Sequence, residues 1–302
     1  MSHSPDSLKS IFFALGANLA IFVAKLITAL YTHSGAMLAE AIHSLADCGN
    51  QLLLLLGIKL AKRPASPDYP LGHGKEVYFW SFIVALILFS MGGLFSIYEG
   101  VHKLHDPHPV HSPLLAIAIL AFSFLAEGVS LWGCIREVNK ERQGRTLWQW
   151  FRDTRKSDLL VVFGEDSAAL LGLSFAIIAV LLTMLTGNPL YDAAGSIAIG
   201  VLLVIVALSV GIEVKSLLVG QGVESRVREE MIALLEERPE IEYLYNVKTL
   251  QLGNDVMIAI KAKMVPLGTD QALIEAINRC EDALQERFPQ IMWCFFEPDN
   301  AD

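Results

Sequence analysis

Charged residues are scarce in this chain, and the scarcity excludes several classes of protein. Of its 302 residues, 18% are charged and 53% are hydrophobic, whereas about 25% of the residues in a typical soluble domain are charged. High hydrophobicity with so little charge excludes an intrinsically disordered chain. The net charge of −9 excludes a nucleic-acid binder of the usual basic kind.

Cysteine is scarce as well. The four cysteines form no CxxC motif and no paired spacing, which excludes a disulfide scaffold or a zinc ribbon. The HExxH motif of zinc hydrolases is absent too, so we do not expect an enzyme. With a mean hydropathy of +0.47, the chain is predicted to be an integral membrane protein.

Long apolar runs are what the sequence does contain. A helix crosses the bilayer core with roughly 20 apolar residues, and six stretches qualify, at about 9–31, 35–58, 77–99, 113–135, 159–186 and 190–217. The polar lead Met1–Lys9 has no small-residue cleavage site after it, so a signal peptide is not expected. The lack of a long presequence favours a bacterial inner membrane over an organelle.

Basic residues are distributed unevenly between the connecting loops. The loops after spans one and five contain none, and the loop after span three contains only Lys103. Because Lys and Arg concentrate in cytoplasmic loops, both termini are predicted to be cytoplasmic. The basic residues of the loops after spans two and four are Lys59, Lys62, Arg63 and Lys75, then Arg136, Lys140, Arg142, Arg145, Arg152, Arg155 and Lys156.

The composition changes after Gly222. Residues 220–302 hold 16 acidic and 8 basic residues, and strict apolar alternation over Val256–Met264 is typical of a half-buried strand. We therefore predict a six-helix all-α transmembrane domain over 1–219 and a cytoplasmic ferredoxin-like α/β domain, in the order αββαβ, over 220–302. Its predicted elements are Glu224–Glu237, Val247–Leu252, Val256–Met264, Asp270–Arg287 and Met292–Phe296, with a hairpin turn at Gly253-Asn254.

Span two carries a stripe of polar side chains. Glu40, His43, Asp47 and Asn50 lie on one helical face, and His43 and Asp47, four residues apart, can ligate one metal ion. The alternative for this pair is a buried ion-pair network. Glu40 is expected near the outer mouth, either as a solvated residue or as a site residue.

Spans four and five carry further carboxylates. Glu165 and Asp166 are adjacent and point about 100° apart, so only one is expected to face a given site. Glu127 and Glu165 are each a candidate metal ligand, proton carrier or structural partner, because intramembrane charges usually mark function. Three other polar residues are interpreted as interhelical hydrogen bonds, namely Asn18, Ser123 and Ser130.

Histidines recur in the third loop at His102, His105, His108 and His111, interrupted by two prolines. This run either captures metal outside the membrane or is a solvated linker.

Several segments together resemble the cation diffusion facilitator family over nearly the whole chain. They are SGAMLAEAIHSLADCG at Ser34–Gly49, PLGHGKEVYFWSF at Pro70–Phe82, GEDSAALLG in span five and YDAAGSIAIG in span six. The resemblance implies a homodimeric exporter of divalent metal driven by counter-moving protons. The Glu-Asp pair on span five resembles the branch that includes the mitochondrial zinc transporter of animals.

The resemblance also implies a transport site. Its HxxxD or DxxxD motifs match His43 and Asp47 on span two and Asp166 on span five, but the position four residues before Asp166 is Val162, which cannot bind metal. The fourth ligand is expected to be Glu165, Glu127, Asn50 or water. Zinc is the expected substrate, with Mn²⁺, Fe²⁺ and Co²⁺ left open because oxygen-rich sites suit harder ions.

Further family metal positions are weaker here. Asp68 and His73 are the candidates in the loop after span two, and His73 has a structural role as its alternative. Positions aligned with family ligands in the C-terminal domain read Tyr245, Lys261 and Phe296, so we predict that this domain binds no metal and serves dimerisation. A passive metal channel and a structural or signalling membrane protein without transport remain the alternative functions.

Overall fold

Six long helices make up residues 5–219 of the computed structural model, which describes the backbone of residues 5–301 and the side chains of residues 16 and 18–301. At 1.5 Å per residue, helices of 27 to 30 residues exceed a hydrocarbon core of about 30 Å. We call them spans one to six, and they cover Pro5–Thr32, Gly35–Ala61, Glu76–His105, Pro113–Glu141, Ser157–Thr186 and Leu190–Val219.

The spans begin and end where the local chemistry requires it. Ser34 caps span two, its side chain accepting a hydrogen bond from the Met37 amide. Span five ends at Gly187, whose φ of 68° is the left-handed conformation that glycine adopts without strain. Between spans four and five lies a short helix, Leu147–Asp153, whose N-terminus is capped by a capping box at Thr146.

Span three packs closely against span six. Its middle turns, Leu88–Leu94, are a π-helix, and a Cβ atom on Gly200 of span six would lie 2.7 Å from the Gly93 carbonyl oxygen. Glycine at such contacts lets two membrane helices approach to backbone distance. The predicted all-α membrane fold is confirmed: five of the described helices are long and apolar enough to cross a membrane, and the described side chains of span one form a shorter apolar stretch, Asn18–Thr32.

The C-terminal elements follow the predicted order αββαβ. The helices are Ser225–Glu236 and Asp270–Arg287, and the strands are β1, Ile241–Leu252, β2, Asp255–Met264, and β3, Ile291–Pro298. The sheet order is β1-β2-β3, with β1 and β2 antiparallel and β2 and β3 parallel. β1 begins six residues before the predicted Val247. The prediction missed these residues because bulges within Ile241–Asn246 disrupt the alternation by which a strand is detected.

The alternation predicted for β2 is confirmed as far as Ala262, whereas Met264 is half-buried like its neighbour Lys263. Val256, Ile258, Ile260 and Ala262 are each at most 2% exposed. They pack against the two helices of this part of the chain through Met231, Leu235, Cys280 and Leu284.

The hairpin turn of the sheet rests on the start of span three. The Tyr78 hydroxyl accepts a hydrogen bond from the Gly253 amide at 2.9 Å, and Tyr78 is fully buried. After span four, Arg145 pairs with Glu224 at 2.8 Å and Arg155 donates to the Gly222 carbonyl at 2.7 Å. These contacts place the sheet on the side of the two basic loops.

Candidate metal centre

A small cavity lies among spans one, two, four and five. Its volume is about 60 Å³, enough for a few water molecules, since one needs roughly 10–15 Å³ on this measure. Most of the residues that line it have polar side chains. The lining residues are Asn18, Ile21, Ser44, Asp47, Gln51, Glu127, Ser130, Val162, Glu165, Asp166 and Ala169.

Four carboxylates from three spans line this cavity: Asp47, Glu127, Glu165 and Asp166. The expectation that only one of Glu165 and Asp166 can face a site is wrong, because both line it. The Glu165 side chain is one methylene longer than that of Asp166, and its Oε1 accepts a hydrogen bond from Asn50. This hydrogen bond holds the Glu165 carboxylate at the cavity although its Cα–Cβ bond points in another direction from that of Asp166.

Neighbouring side chains position the two span-five carboxylates. Asp166 Oδ2 accepts a hydrogen bond from Ser130 at 3.1 Å, so the predicted interhelical role of Ser130 is confirmed. Asn50 is fully buried and donates to Glu165. Its own Oδ1 is buried with no hydrogen-bond partner among the described side chains.

His43 lies behind Asp47, on the side of span three. Its side chain is 1% exposed and its Nδ1 is 3.6 Å from Asp47 Oδ1. Neither ring nitrogen has a hydrogen-bond partner in the part of the chain that the structure describes. Of the predicted trio, Asp47 and Asp166 thus share the cavity wall, and His43 contacts it through Asp47.

The carboxylates do not form a closed coordination shell. Within residues whose side chains are described, no three His, Cys, Asp or Glu residues stand in an arrangement that could already hold a metal ion.

Val162 lines the same cavity, one helical turn before Asp166. The wall at this position is therefore apolar. Any ligands on that side must come from neighbouring carboxylates, which makes the candidate site richer in oxygen than in nitrogen.

Glu40 departs from its prediction. It is fully buried, not solvated at a mouth, and its Oε2 pairs with Lys25 Nζ of span one at 3.3 Å. Lys25 is itself 1% exposed and donates to the Ser44 hydroxyl at 2.8 Å. The sequence pattern missed this pairing because the partner lies on another helix.

Two further residues line the cavity that were not predicted from the sequence, Ser44 and Gln51. Gln51 lies four residues after Asp47, so the same helical periodicity that selected the stripe of span two could have found it. Asn18, interpreted as an interhelical hydrogen-bond residue, also lines the cavity.

A wider groove continues from the cavity toward the loop after span four. It measures about 700 Å³ and shares Gln51, Ser130, Val162 and Asp166 with the cavity. At its other end lie Glu137, Glu141, Lys156 and Asp158. The carboxylates are therefore connected to the side of the membrane on which the C-terminal sheet packs.

The weaker candidate sites lie apart from this cavity. The His73 ring packs on Tyr69, with ring centroids 4.3 Å apart, in a surface groove that Asp68 also lines. In the third loop His111 contacts His33, and His108 pairs with the exposed Asp106 at 3.3 Å. Among the described side chains neither region gathers three metal-ligating groups.

Comparison with known proteins places these features in a family. The sequence profile of the cation efflux transmembrane domain matches residues 11–219. The chain is 37% identical to the mitochondrial proton-coupled zinc antiporter SLC30A9 of Xenopus laevis, over 81% of this chain and 44% of that protein. It is 36% identical to the Homo sapiens antiporter of the same name, over 76% and 41%.

A plant protein is also similar. Metal tolerance protein C4 of Arabidopsis thaliana is 31% identical over 82% of this chain and 54% of its own length. The chain thus spans about half the length of these three relatives.

Proposed function

This chain belongs to the cation efflux family, the cation diffusion facilitators, and we propose that it exports zinc from the cytoplasm in exchange for protons. Its relatives are named as transporters, and the prediction that it is not an enzyme is confirmed. The observation that carries the proposal is the cavity in which Asp47, Glu127, Glu165 and Asp166 meet inside the membrane part of the fold.

The ligands are proposed to be Asp47 and Asp166, with His43 completing the set. His43 reaches the ion when its ring turns past Asp47, from which it is 3.6 Å away. Glu165 or Glu127 provides the fourth ligand or carries a proton, and Asn50 holds Glu165 in place. Water occupies any remaining position.

Proton exchange follows from the chemistry of these ligands. Carboxylates bind metal when deprotonated, and imidazole binds it when neutral, so binding releases protons. A cavity that holds either protons or a metal ion couples their movement when it opens to one side and then to the other. Ala168, Ala169 and Gly172 keep span five narrow against span two, which permits the sliding that alternating access needs.

The direction of transport rests on the basic loops. We propose that the groove ending at Glu141 and Lys156 opens to the cytoplasm, since Lys- and Arg-rich loops face that side. The termini, and residues 220–302 as a separate domain, then lie in the cytoplasm. That domain is proposed to join two copies into a homodimer.

A second candidate substrate is supported by Val162. Val162 stands where the family motif has His or Asp, and it lines the cavity. The remaining wall is rich in carboxylate oxygen, which suits Mn²⁺, Fe²⁺ or Co²⁺ better than a histidine-rich site would. In the zinc-exporting protein, His43→Asp should shift selectivity further toward these ions.

Metal uptake into proteoliposomes, with and without a pH gradient, tests the proposal. Zn, Mn, Fe and Co are compared, with Asp47→Ala as the blank. Glu213→Gln serves as the matched control, since Glu213 is a half-buried acid of span six near Arg152 and Arg155. Gradient-dependent zinc uptake that is lost only in Asp47→Ala supports the proposal. Gradient-independent uptake indicates a channel, and no uptake of any metal indicates a protein without transport.

A further inference from the structure

A buried lysine, Lys25, lies one hydrogen bond behind the wall of the carboxylate cavity. Lys25 Nζ donates to the Ser44 hydroxyl at 2.8 Å and pairs with Glu40 Oε2 at 3.3 Å, and Ser44 itself lines the cavity. Both Lys25 and Glu40 are at most 1% exposed. An ammonium group buried so deeply persists only with a counter-ion and hydrogen bonds.

Glu40 is held from several sides. Its carboxylate lies between Lys25 of span one and Gly172 of span five, where a Cβ atom would approach Oε1 to 2.6 Å. Oε1 has no hydrogen-bond partner among the described side chains. One oxygen of this buried carboxylate thus pairs with lysine, and the other lies against Gly172.

The acidic residues of the membrane interior differ in whether they pair with a lysine. Glu40 has its counter-ion, whereas the four cavity carboxylates make no ion pair with Lys or Arg within the described side chains. Glu40 lies only one helical turn before His43 and Ser44. Without Lys25, it would be a fifth anionic group beside the metal path.

We propose that Lys25 is a positioning residue of the transport site, which sequesters Glu40 and so limits the anionic ligands offered to the cargo to those that line the cavity. By holding both Glu40 and Ser44, Lys25 keeps a tightly binding extra carboxylate away from the ion. The ion is consequently bound weakly enough to be released. This inference rests on the proposed function.

Two charge-altering variants test the inference in opposite directions. In Lys25→Met, Glu40 is freed, so zinc should bind about tenfold more tightly or better, the scale of an added contact to a charged group. The maximal transport rate should fall as release slows. In Glu40→Gln, the ammonium retains only Ser44 and is attracted to the cavity carboxylates, so zinc should bind about tenfold more weakly.

The double variant and a conservative variant separate this role from helix packing. Adding Glu40→Gln to Lys25→Met should abolish the gain in affinity, and Lys25→Arg should preserve the parental affinity. If the Lys25–Glu40 pair only holds the helices together, every folded variant should have lower thermal stability and unchanged zinc affinity. That result would overturn the inference. Lys103→Met, which breaks a membrane ion pair away from the cavity, is the matched control and should leave affinity unchanged.

Zinc affinity is measured by calorimetric titration of the purified full chain in detergent, and transport in proteoliposomes. If Lys25→Met does not accumulate in the membrane, Glu40→Gln still decides the question: unchanged zinc affinity in this variant contradicts the inference. Failure of the parental protein to move any metal would refute the proposed function, whereas unaltered affinities in variants of an active parent would refute only the role of Lys25.

Discussion

Two groups of acidic side chains in the membrane part of this protein differ in their partners. Glu40 and Asp192 are each at most 1% exposed and each pairs with a lysine, Lys25 at 3.3 Å and Lys103 at 3.0 Å. The second group lines the cavity and makes no ion pair with lysine or arginine among the described side chains. Its members are Asp47, Glu127, Glu165 and Asp166.

The comparison separates acids that hold helices together from acids that are available to a ligand. A buried charge with its counter-ion contributes specificity of packing, and removing one partner leaves the other uncompensated. Gathered carboxylates without such a counter-ion repel one another and are relieved by protons or by a metal ion. Removing members of the two groups should therefore have opposite consequences for stability and for transport.

The largest expected effect is on transport by the cavity group. Asp47→Asn and Asp166→Asn should each abolish metal uptake, because each removes a proposed anionic ligand while preserving side-chain shape. Thermal unfolding in detergent should be unchanged or shifted upward, since repulsion between carboxylates is reduced. Full uptake by either variant, with Glu213→Gln measured beside it, would contradict the assignment of the site.

Asp192 should show the reverse behaviour. Its oxygens accept from the Ser34 hydroxyl at 2.5 Å and the Gly35 amide at 2.6 Å, besides pairing with Lys103. Asp192→Asn should lower the free energy of unfolding by about 2–4 kcal/mol, since a cap contributes about 1 kcal/mol and a broken buried pair more. Thermal unfolding in detergent measures the loss, and the exposed Asp106→Asn is the control. A folding midpoint equal to that of the control would show that the network at this end is dispensable.

A smaller effect is expected where Glu40 meets span five. In Gly172→Ala the new Cβ atom, 2.6 Å from Glu40 Oε1, must displace the carboxylate, at a cost of about 1–3 kcal/mol for overpacking. Gly128→Ala, where no atom lies within 4 Å of the added Cβ in the described structure, should be neutral or stabilising by up to about 1 kcal/mol. Equal unfolding midpoints for the two variants would contradict the close contact.

The smallest effect concerns an acid outside the membrane. Burial alone would raise the pKa of Glu240, but hydrogen bonds from Arg279 at 2.9 Å and Arg238 at 3.1 Å outweigh it and hold the pKa below its usual value. Because the folded pKa is depressed, this stabilisation is present above the unfolded pKa near 4.3 and is lost as the pH falls through the folded value. Glu240→Gln should thus cost about 1–2 kcal/mol at neutral pH.

Hydrogen exchange in β1 and β2 of the full chain measures this change. The difference between Glu240→Gln and the parent should disappear at a pH below the folded pKa, where Glu240 itself is neutral. A difference that persists there would mean that the glutamine disturbs packing and not charge.

The order of elements was predictable from the sequence because hydrophobic periodicity encodes it directly. Apolar runs marked the spans, and strict alternation marked β2. The early part of β1 was not predictable, because its bulges disrupt the period of two. The π-helical turns of span three likewise leave no period that a sequence pattern reveals.

The candidate site was predicted in part. Helical offsets and the family resemblance selected Asp47 and Asp166, which line one cavity. Helical offsets alone did not predict that Glu165 lies at the same cavity wall as Asp166. Its longer side chain and the hydrogen bond from Asn50 bring it there. Whether His43 joins them as a ligand stays a prediction.

The sequence by itself determined that this protein lies in a bilayer and which ionisable side chains lie within it. Scarce charge and long apolar runs require a bilayer, and the few carboxylates left inside it must serve a purpose that offsets their desolvation. Only the tertiary structure decided which purpose each acid can serve. Glu40 and Asp47 lie on one stripe of one helix, yet one meets a lysine from span one and the other meets carboxylates from spans four and five, because the partner of a side chain depends on which helices pack against it.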